Sequence, residues 1–399
     1  MRTDASAACP APGANRRRRS KEWSGTKAPA PRLRPAGCYS IHKQVEKQEQ
    51  SLRRPNQPTP SRANKGKYLL ALAAALLATA SPAAAELKVT ATIKPVHALV
   101  AQVMEGVGTP SLLVQGAASP HTYSLKPSDA RTLHHADVFF RVSDTVEPFT
   151  RKIVAALPDT VRIVTLAQAP GIELLDLRRG ETFESHDPAD HDHAGGHDHG
   201  DHDHDHDSHH HAQETLDGHV WLDPENARKM VAEIARVLSE ASPADAARFK
   251  ANAERADAAL VALEKDIARD LALVKDRPFV VFHDAFQYFE HRFGLTAIGA
   301  ITVSPDAQPS AKRLTEIRRR LAALPPSCVF SEPQFQARLV TAVTEGTSAR
   351  PGTLDPEGAL VAPGPGAYDA LLRNLAAGLK NCLGQPNAAE LPEMKRAVR

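Results

Sequence analysis

The stretch ADAARFKANAERADAALVALEKDIARDLALVKD, residues 244–276, contains neither proline nor glycine. Leu260, Leu263, Ile267, Leu271 and Val274 recur at intervals of three and four residues, which puts them on one stripe of a helix. On either side of this helix, short apolar runs alternate with helical patterns. The chain therefore reads as two α/β halves, each with a parallel sheet, joined by one long rigid helix.

In the first half, residues 86–243, apolar runs at Leu87–Ile93, Ser111–Val114, Val138–Val142 and Val161–Leu166 read as strands. Helical segments fall at Pro127–His135 and from Pro224 to Leu238. The second half, residues 277–399, predicts strands at Phe279–Phe282, Ala297–Thr302 and Cys328–Phe330. Its helices fall at Ala285–Phe293, Ala311–Leu324, Gln336–Thr344 and Tyr368–Lys380. Strands alternating with helices in this way build parallel βαβ units.

Of 399 residues, 42% are hydrophobic and 24% charged, which excludes a collagen, a wholly disordered chain and a polytopic membrane protein. The net charge of +2 conceals an asymmetry: residues 1–85 carry 16 Lys and Arg against 4 Asp and Glu, leaving 33 against 43 in the remainder. The basic excess is one N-terminal block, so no nucleic-acid partner is expected. Within that block, Lys65 and Lys67 precede an apolar run of 11 residues, Tyr68–Ala78, and small residues lead to Ala83-Ala84-Ala85. This is the layout of a signal peptide, 65–85, with cleavage after Ala85. The run is well short of the roughly 20 residues a membrane-spanning helix needs. Residues 1–64, rich in Pro, Arg and Ser, read as a disordered leader from a frame begun too far upstream, or else as a basic extension. Pro35-Ala36-Gly37-Cys38 imitates a lipoprotein signal, but no hydrophobic stretch precedes it.

Cleavage would leave two of the four cysteines, Cys328 and Cys382. In an oxidising compartment the pair predicts one disulfide, against the alternative of two buried thiols.

Eleven of the 19 histidines lie within the segment 184–215: His186, His191, His193, His197, His199, His202, His204, His206, His209, His210 and His211, interleaved with aspartates. So biased a segment predicts a disordered loop, and its imidazoles suit Zn, Cu or Ni, which makes it a low-specificity metal collector. The bland alternative is a solvated acidic spacer. His197–His202 also fits the H-x-H-x-D-H pattern of metallo-β-lactamase-type hydrolases, but a repetitive tract meets that pattern by composition alone.

Outside the tract, His121, His219 and His283 stand where loops leave elements, and Asp355 in T-L-D-P occupies a similar strand-to-turn position. Ligands in open α/β sheets gather beyond the carboxyl ends of strands. His97, His134, His135 and His291 fall on helices and read as structural.

The segments SPHTYSLKPSD (119–129), HVWLDPENA (219–227), FHDAFQYFEHRFGL (282–295), SEPQF (331–335) and TLDP (353–356) resemble the metal-binding proteins of ABC importers, and specifically their zinc-binding ZnuA-like branch. The resemblance runs in order along residues 86–399. It implies a metal held between two lobes, with His121 and His219 from the first and His283 and Asp355 from the second, and with Glu332 standing behind them. Manganese-binding relatives carry a carboxylate at the third position, where this chain has His283. Three imidazoles with one carboxylate or water suit tetrahedral Zn²⁺. The His-rich insertion and the Cys328/Cys382 pair also resemble the zinc branch.

These readings imply a monomeric periplasmic protein that captures Zn²⁺ and passes it to an ABC permease and its ATPase, without catalysis. The rivals are a three-histidine zinc hydrolase and a zinc-binding adhesin of the same fold. No H-E-x-x-H helix and no evident general base support the first, and no lipidated cysteine supports the second.

Overall fold

The computed structural model describes residues 86–178, 183, 215–302, 305, 308–324 and 327–385. The leader and signal peptide expected at residues 1–85, and the histidines from His186 to His211, lie outside the described residues.

The first sheet contains β1 (Val89–Ala91), β2 (Ser111–Leu112), β3 (Val138–Arg141) and β4 (Arg162–Thr165), parallel throughout, in the order β2-β1-β3-β4. Around it lie α1 (Lys94–Val103), α2 (Pro127–His134), α3 (Thr150–Val154) and α4 (Pro224–Ala241). β1 and β3 are buried on both faces, as a parallel sheet covered by helices requires. Asp223 accepts from the Glu225 amide at 2.8 Å and so caps α4, with Pro224 beside it in the first turn.

The long helix α5 spans Ala246–Leu271, after a short turn at Pro243–Asp245. The stripe read from the sequence faces inward: Leu260, Leu263, Ile267 and Leu271 are buried, together with Phe249 and Asn252. Residues 272–276 form turns rather than helix, although Val274 stays buried.

The second sheet holds β5 (Phe279–His283), β6 (Ala297–Thr302), β7 (Cys328–Ser331) and β8 (Arg350–Thr353), parallel in the order β6-β5-β7-β8. Its helices are α6 (Gln287–Phe293), α7 (Ala311–Ala323), α8 (Arg338–Thr344) and α9 (Ala367–Leu383). The sequence delimits no strand at β8, whose residues are Arg-Pro-Gly-Thr. Its position explains how it is tolerated: it is an edge strand, where the missing Pro351 amide costs least. A Cβ on Gly352 would lie 2.5 Å from the Phe330 ring, so only glycine lets that ring cross the strand. Cys328 on β7 and Cys382 on α9 form a disulfide across 54 residues.

One hydrophobic core runs through both halves, from Val89 and Val138 through Trp221 and Leu260 to Phe330 and Leu383. Among the described residues no helix is long and apolar enough to cross a membrane.

Candidate metal centre

Each sheet has a switch point, where the chain leaves one strand and returns on the far side of its neighbour. The residues beyond β1 and β3, and beyond β5 and β7, face the space between the lobes. His283 ends β5 and Glu332 follows β7, so the second switch point presents both. His219 precedes the turn Val220–Leu222 that leads into α4. His121 sits on the loop between β2 and α2.

These three histidines converge. Their ligand atoms all lie within 4.8 Å of one another, and they are the group of metal-ligating side chains that the described residues bring together. His219 and His283 are buried and His121 half-buried. The Nε2 atoms of His121 and His219 are 3.2 Å apart, and those of His219 and His283 are 3.4 Å apart.

The opposite ring edges are held by acceptors. His219 Nδ1 donates to Asp217 at 2.7 Å, and His283 Nδ1 donates to Glu332 at 2.6 Å. The same two carboxylates accept from the main-chain amides of His219 and His283 at 3.0 and 3.1 Å. The His121 ring donates to the main chain of Thr145. With the Nδ1 hydrogens of His219 and His283 committed outward, their Nε2 lone pairs face inward, together with the His121 ring. Carboxylate or carbonyl partners of this kind fix the tautomer of metal-ligating imidazoles. Zn–N bonds of about 2.0–2.1 Å in a tetrahedron place two nitrogens roughly 3.3–3.4 Å apart, the spacing found here.

Burial and the two neighbouring imidazoles hold His121 well below the usual imidazole range, so it is neutral and able to donate a lone pair. Burial also disfavours charge on His283, but the Glu332 carboxylate outweighs it and raises that ring.

Asp355, the fourth predicted ligand, does not join the cluster. Its Oδ1 accepts from Gln334 Nε2 at 2.9 Å and from the Glu357 amide at 3.2 Å. It lies near Lys94, whose ammonium donates to the Gly358 and Ala359 carbonyls. Glu357 is pushed well above the carboxylate range by burial and by Asp355, Glu147 and Glu332. Glu147 is fully buried and pushed up to about 7 by that burial; it accepts from Thr92 and from the Val142 and Ser143 amides. It thereby anchors the turn from which Thr145 reaches His121.

Of the histidines read as structural, His134, His135 and His291 are exposed. His97 is buried, with Nε2 3.1 Å from the Pro110 carbonyl. The sequence reading did not pick out Asp217, Thr145, Glu147 or Gly218. Only Asp217 leaves a local signal, a carboxylate two residues before a histidine. A Cβ on Gly218 would lie 2.6 Å from Val146, so glycine is what allows the His219 segment to pass that close.

Two parallel α/β lobes with a three-imidazole cluster between them define a bilobed metal-binding protein. Residues 89–382 match the family described as ZnuA, zinc-uptake complex component A, periplasmic. The high-affinity zinc uptake system protein ZnuA of Brucella suis is 46% identical over 336 residues, covering 80% of this chain and 100% of the relative. Its counterpart in Yersinia pestis is 34% identical over 322 residues, covering 80% and 99%. Among solved structures, a crystal structure of ZnuA superposes with TM-score 0.61 at 23% identity, covering 74% of this chain and 99% of that one. Zn(II)-bound AdcA from Streptococcus pneumoniae gives 0.56 at 23%, covering 76% and 59%. The chain belongs to the ZnuA family of periplasmic zinc-uptake components, which bind solute and are not enzymes.

Proposed function

We propose that this chain captures Zn²⁺ through His121, His219 and His283 and delivers it to an ABC permease energised by an ATPase. The observation that carries the reading is the convergence of three imidazoles at tetrahedral spacing, with Asp217 and Glu332 fixing two of the rings from behind. A fourth, oxygen ligand completes the tetrahedron. Asp355 lies outside the three-histidine group and already accepts from Gln334 and the Glu357 amide, so we assign that position to water.

The protein acts as an exported monomer, released by cleavage of the 65–85 signal peptide after Ala85. Its His-rich segment collects zinc weakly and with low specificity. Permease, ATPase and zinc cargo together make up the uptake system in which it serves.

Competition titration against a zinc chelator tests the ligand set. Single substitutions of His121, His219 or His283 by alanine should each weaken tight binding by at least a hundredfold, whereas Asp355→Asn should change it less than tenfold. His283→Glu should cut selectivity for zinc over manganese tenfold or more, because it replaces nitrogen with oxygen at one corner. Retention of tight, selective binding in the histidine variants would refute the assignment. Deleting residues 186–211 should remove the weak zinc equivalents and leave one tight site.

A further inference from the structure

The two chain segments that flank the His-rich insertion come together as a short antiparallel ribbon. Asp176 and Leu216 form a β-bridge, the Leu177 amide donates to the Thr215 carbonyl at 2.8 Å, and the Asp217 amide donates to the Leu175 carbonyl at 2.9 Å. The ribbon belongs to the first lobe by sequence, but it is fastened to the second. Tyr288 on α6 accepts from the Leu175 amide at 2.9 Å and donates to the Asp217 carbonyl at 2.8 Å, holding both ribbon strands with one hydroxyl. Gln287 Nε2 donates to the Asp176 carbonyl at 3.0 Å.

The strongest fastening is Arg178. Its Nε donates to both oxygens of Asp284 at 3.0 and 3.1 Å, and its terminal nitrogens reach Glu290 at 2.8 and 3.0 Å; a further contact joins Nη2 to Asp284. The two carboxylates are 4% exposed and the guanidinium 20%, and the Phe183 ring covers it with its centroid 4.1 Å away. A planar fork gripping two carboxylates is the arrangement for which arginine is suited and lysine is not.

The ribbon touches the metal cage at two places. Asp217, on one strand, orients His219. Arg178, on the other, holds Asp284, the residue after His283. We infer that this ribbon is a strap across the lobes and that Arg178 is a positioning residue for zinc retention, keeping the His283 side of the cage in register with the His219 side. The inference rests on the zinc-binding reading above. Without the guanidinium, Asp284 and Glu290 would be two buried carboxylates with no cation between them, to be relieved by taking up a proton or by moving the strand that carries His283 toward water. Either way the fork that fixes Asp284 beside His283 is lost.

The test is release of zinc from the loaded mature chain into excess chromophoric chelator, followed by stopped flow, with melting temperatures of the zinc-free and loaded forms. Arg178→Met should release zinc at least tenfold faster and show a smaller melting-temperature gain on loading. Arg178→Lys should fall between it and the wild type. In the triple variant Arg178→Met, Asp284→Asn, Glu290→Gln, which buries no charge, the melting temperature should recover while release stays fast. Release at the wild-type rate in Arg178→Met overturns the strap, as does a rate that recovers with stability in the triple variant. If Arg178→Met does not fold, Arg178→Lys and the triple variant carry the test alone. A wild-type chain that retains no zinc would instead overturn the functional reading itself.

Discussion

Trp221 of the first lobe and Pro356 of the second are joined by a hydrogen bond from the indole Nε1 to the proline carbonyl, at 2.9 Å and fully buried. Tyr368 on α9 completes the seam by donating to the Trp221 carbonyl at 2.6 Å. The His219 ring packs against the same indole, with centroids 5.2 Å apart. Stability of the lobe interface and placement of the His219 ring therefore depend on one side chain.

Trp221→Phe keeps an aromatic ring but strands the Pro356 carbonyl in the core. An unpaired buried acceptor costs about 1–3 kcal/mol. Denaturant unfolding of the zinc-free chain should show a loss in that range, and zinc affinity should fall with it. Unchanged stability would mean that water replaces the indole.

Gly218→Ala should act mainly on the cage. The new methyl would meet Val146 at 2.6 Å and Ser143 Oγ at 3.0 Å. Relieving that overlap moves either the His219 segment or the turn that supports His121. A stability loss of about 1–3 kcal/mol is expected from overpacking, with at least a tenfold loss of zinc affinity by chelator competition. Loss of stability alone would show that the turn yields and the cage does not.

Zinc binding should respond to acid first through His283. Its zinc-free form takes up a proton more readily than an ordinary histidine because of Glu332, while burial keeps His121 deprotonated. A raised histidine is stabilising while protonated, so its contribution to the zinc-free fold is present below about pH 6.5 and lost as pH rises through the raised value. Zinc demands the opposite, a neutral ring. On acidification, affinity should therefore begin to fall while the pH is still above about 6.5, by close to tenfold per pH unit. Glu332→Gln should move that onset to lower pH. Isothermal titration in buffers of different ionisation heat would read the proton released per zinc; an onset unmoved by Glu332→Gln contradicts this account.

Reduction of Cys328–Cys382 should lower the melting temperature. Closing 54 residues contributes about 4 kcal/mol in the chain-entropy treatment. The link fastens an inner strand of the second sheet to the last described helix. Equal melting of the oxidised and reduced chains would show that the core alone holds α9.

The parts of this molecule that the sequence makes readable are those set by local periodicity. The stripe from Leu260 to Leu271 predicts the connecting helix, and the buried apolar runs predict β1, β3, β5 and β7. His283 is legible because it directly follows an apolar strand. Arg350–Thr353 is not, since Pro351 and Gly352 are poor strand formers that only an edge position and the Phe330 ring make acceptable. Asp355 has a ligand's place in the sequence, yet its carboxylate lies outside the histidine group and accepts from Gln334, 21 residues away. Arg178 and Asp284 lie 106 residues apart, and no spacing rule connects them. Groups that hold ligands from behind are recruited by the fold from distant segments, whereas strand-end positions leave a trace in the chain.

The pairing of Asp176 with Leu216 also bears on how this protein can change over generations. Because the two ends of the inserted segment are already side by side, the chain between them closes a loop whose cost rises only with the logarithm of its length, about 0.6 kcal/mol for each doubling. Lengthening, shortening or reshuffling that segment is thus nearly neutral for the fold, provided that Arg178 and Asp217 remain at its base. On the function proposed here, selection can adjust how much metal the tract attracts without disturbing His121, His219 and His283.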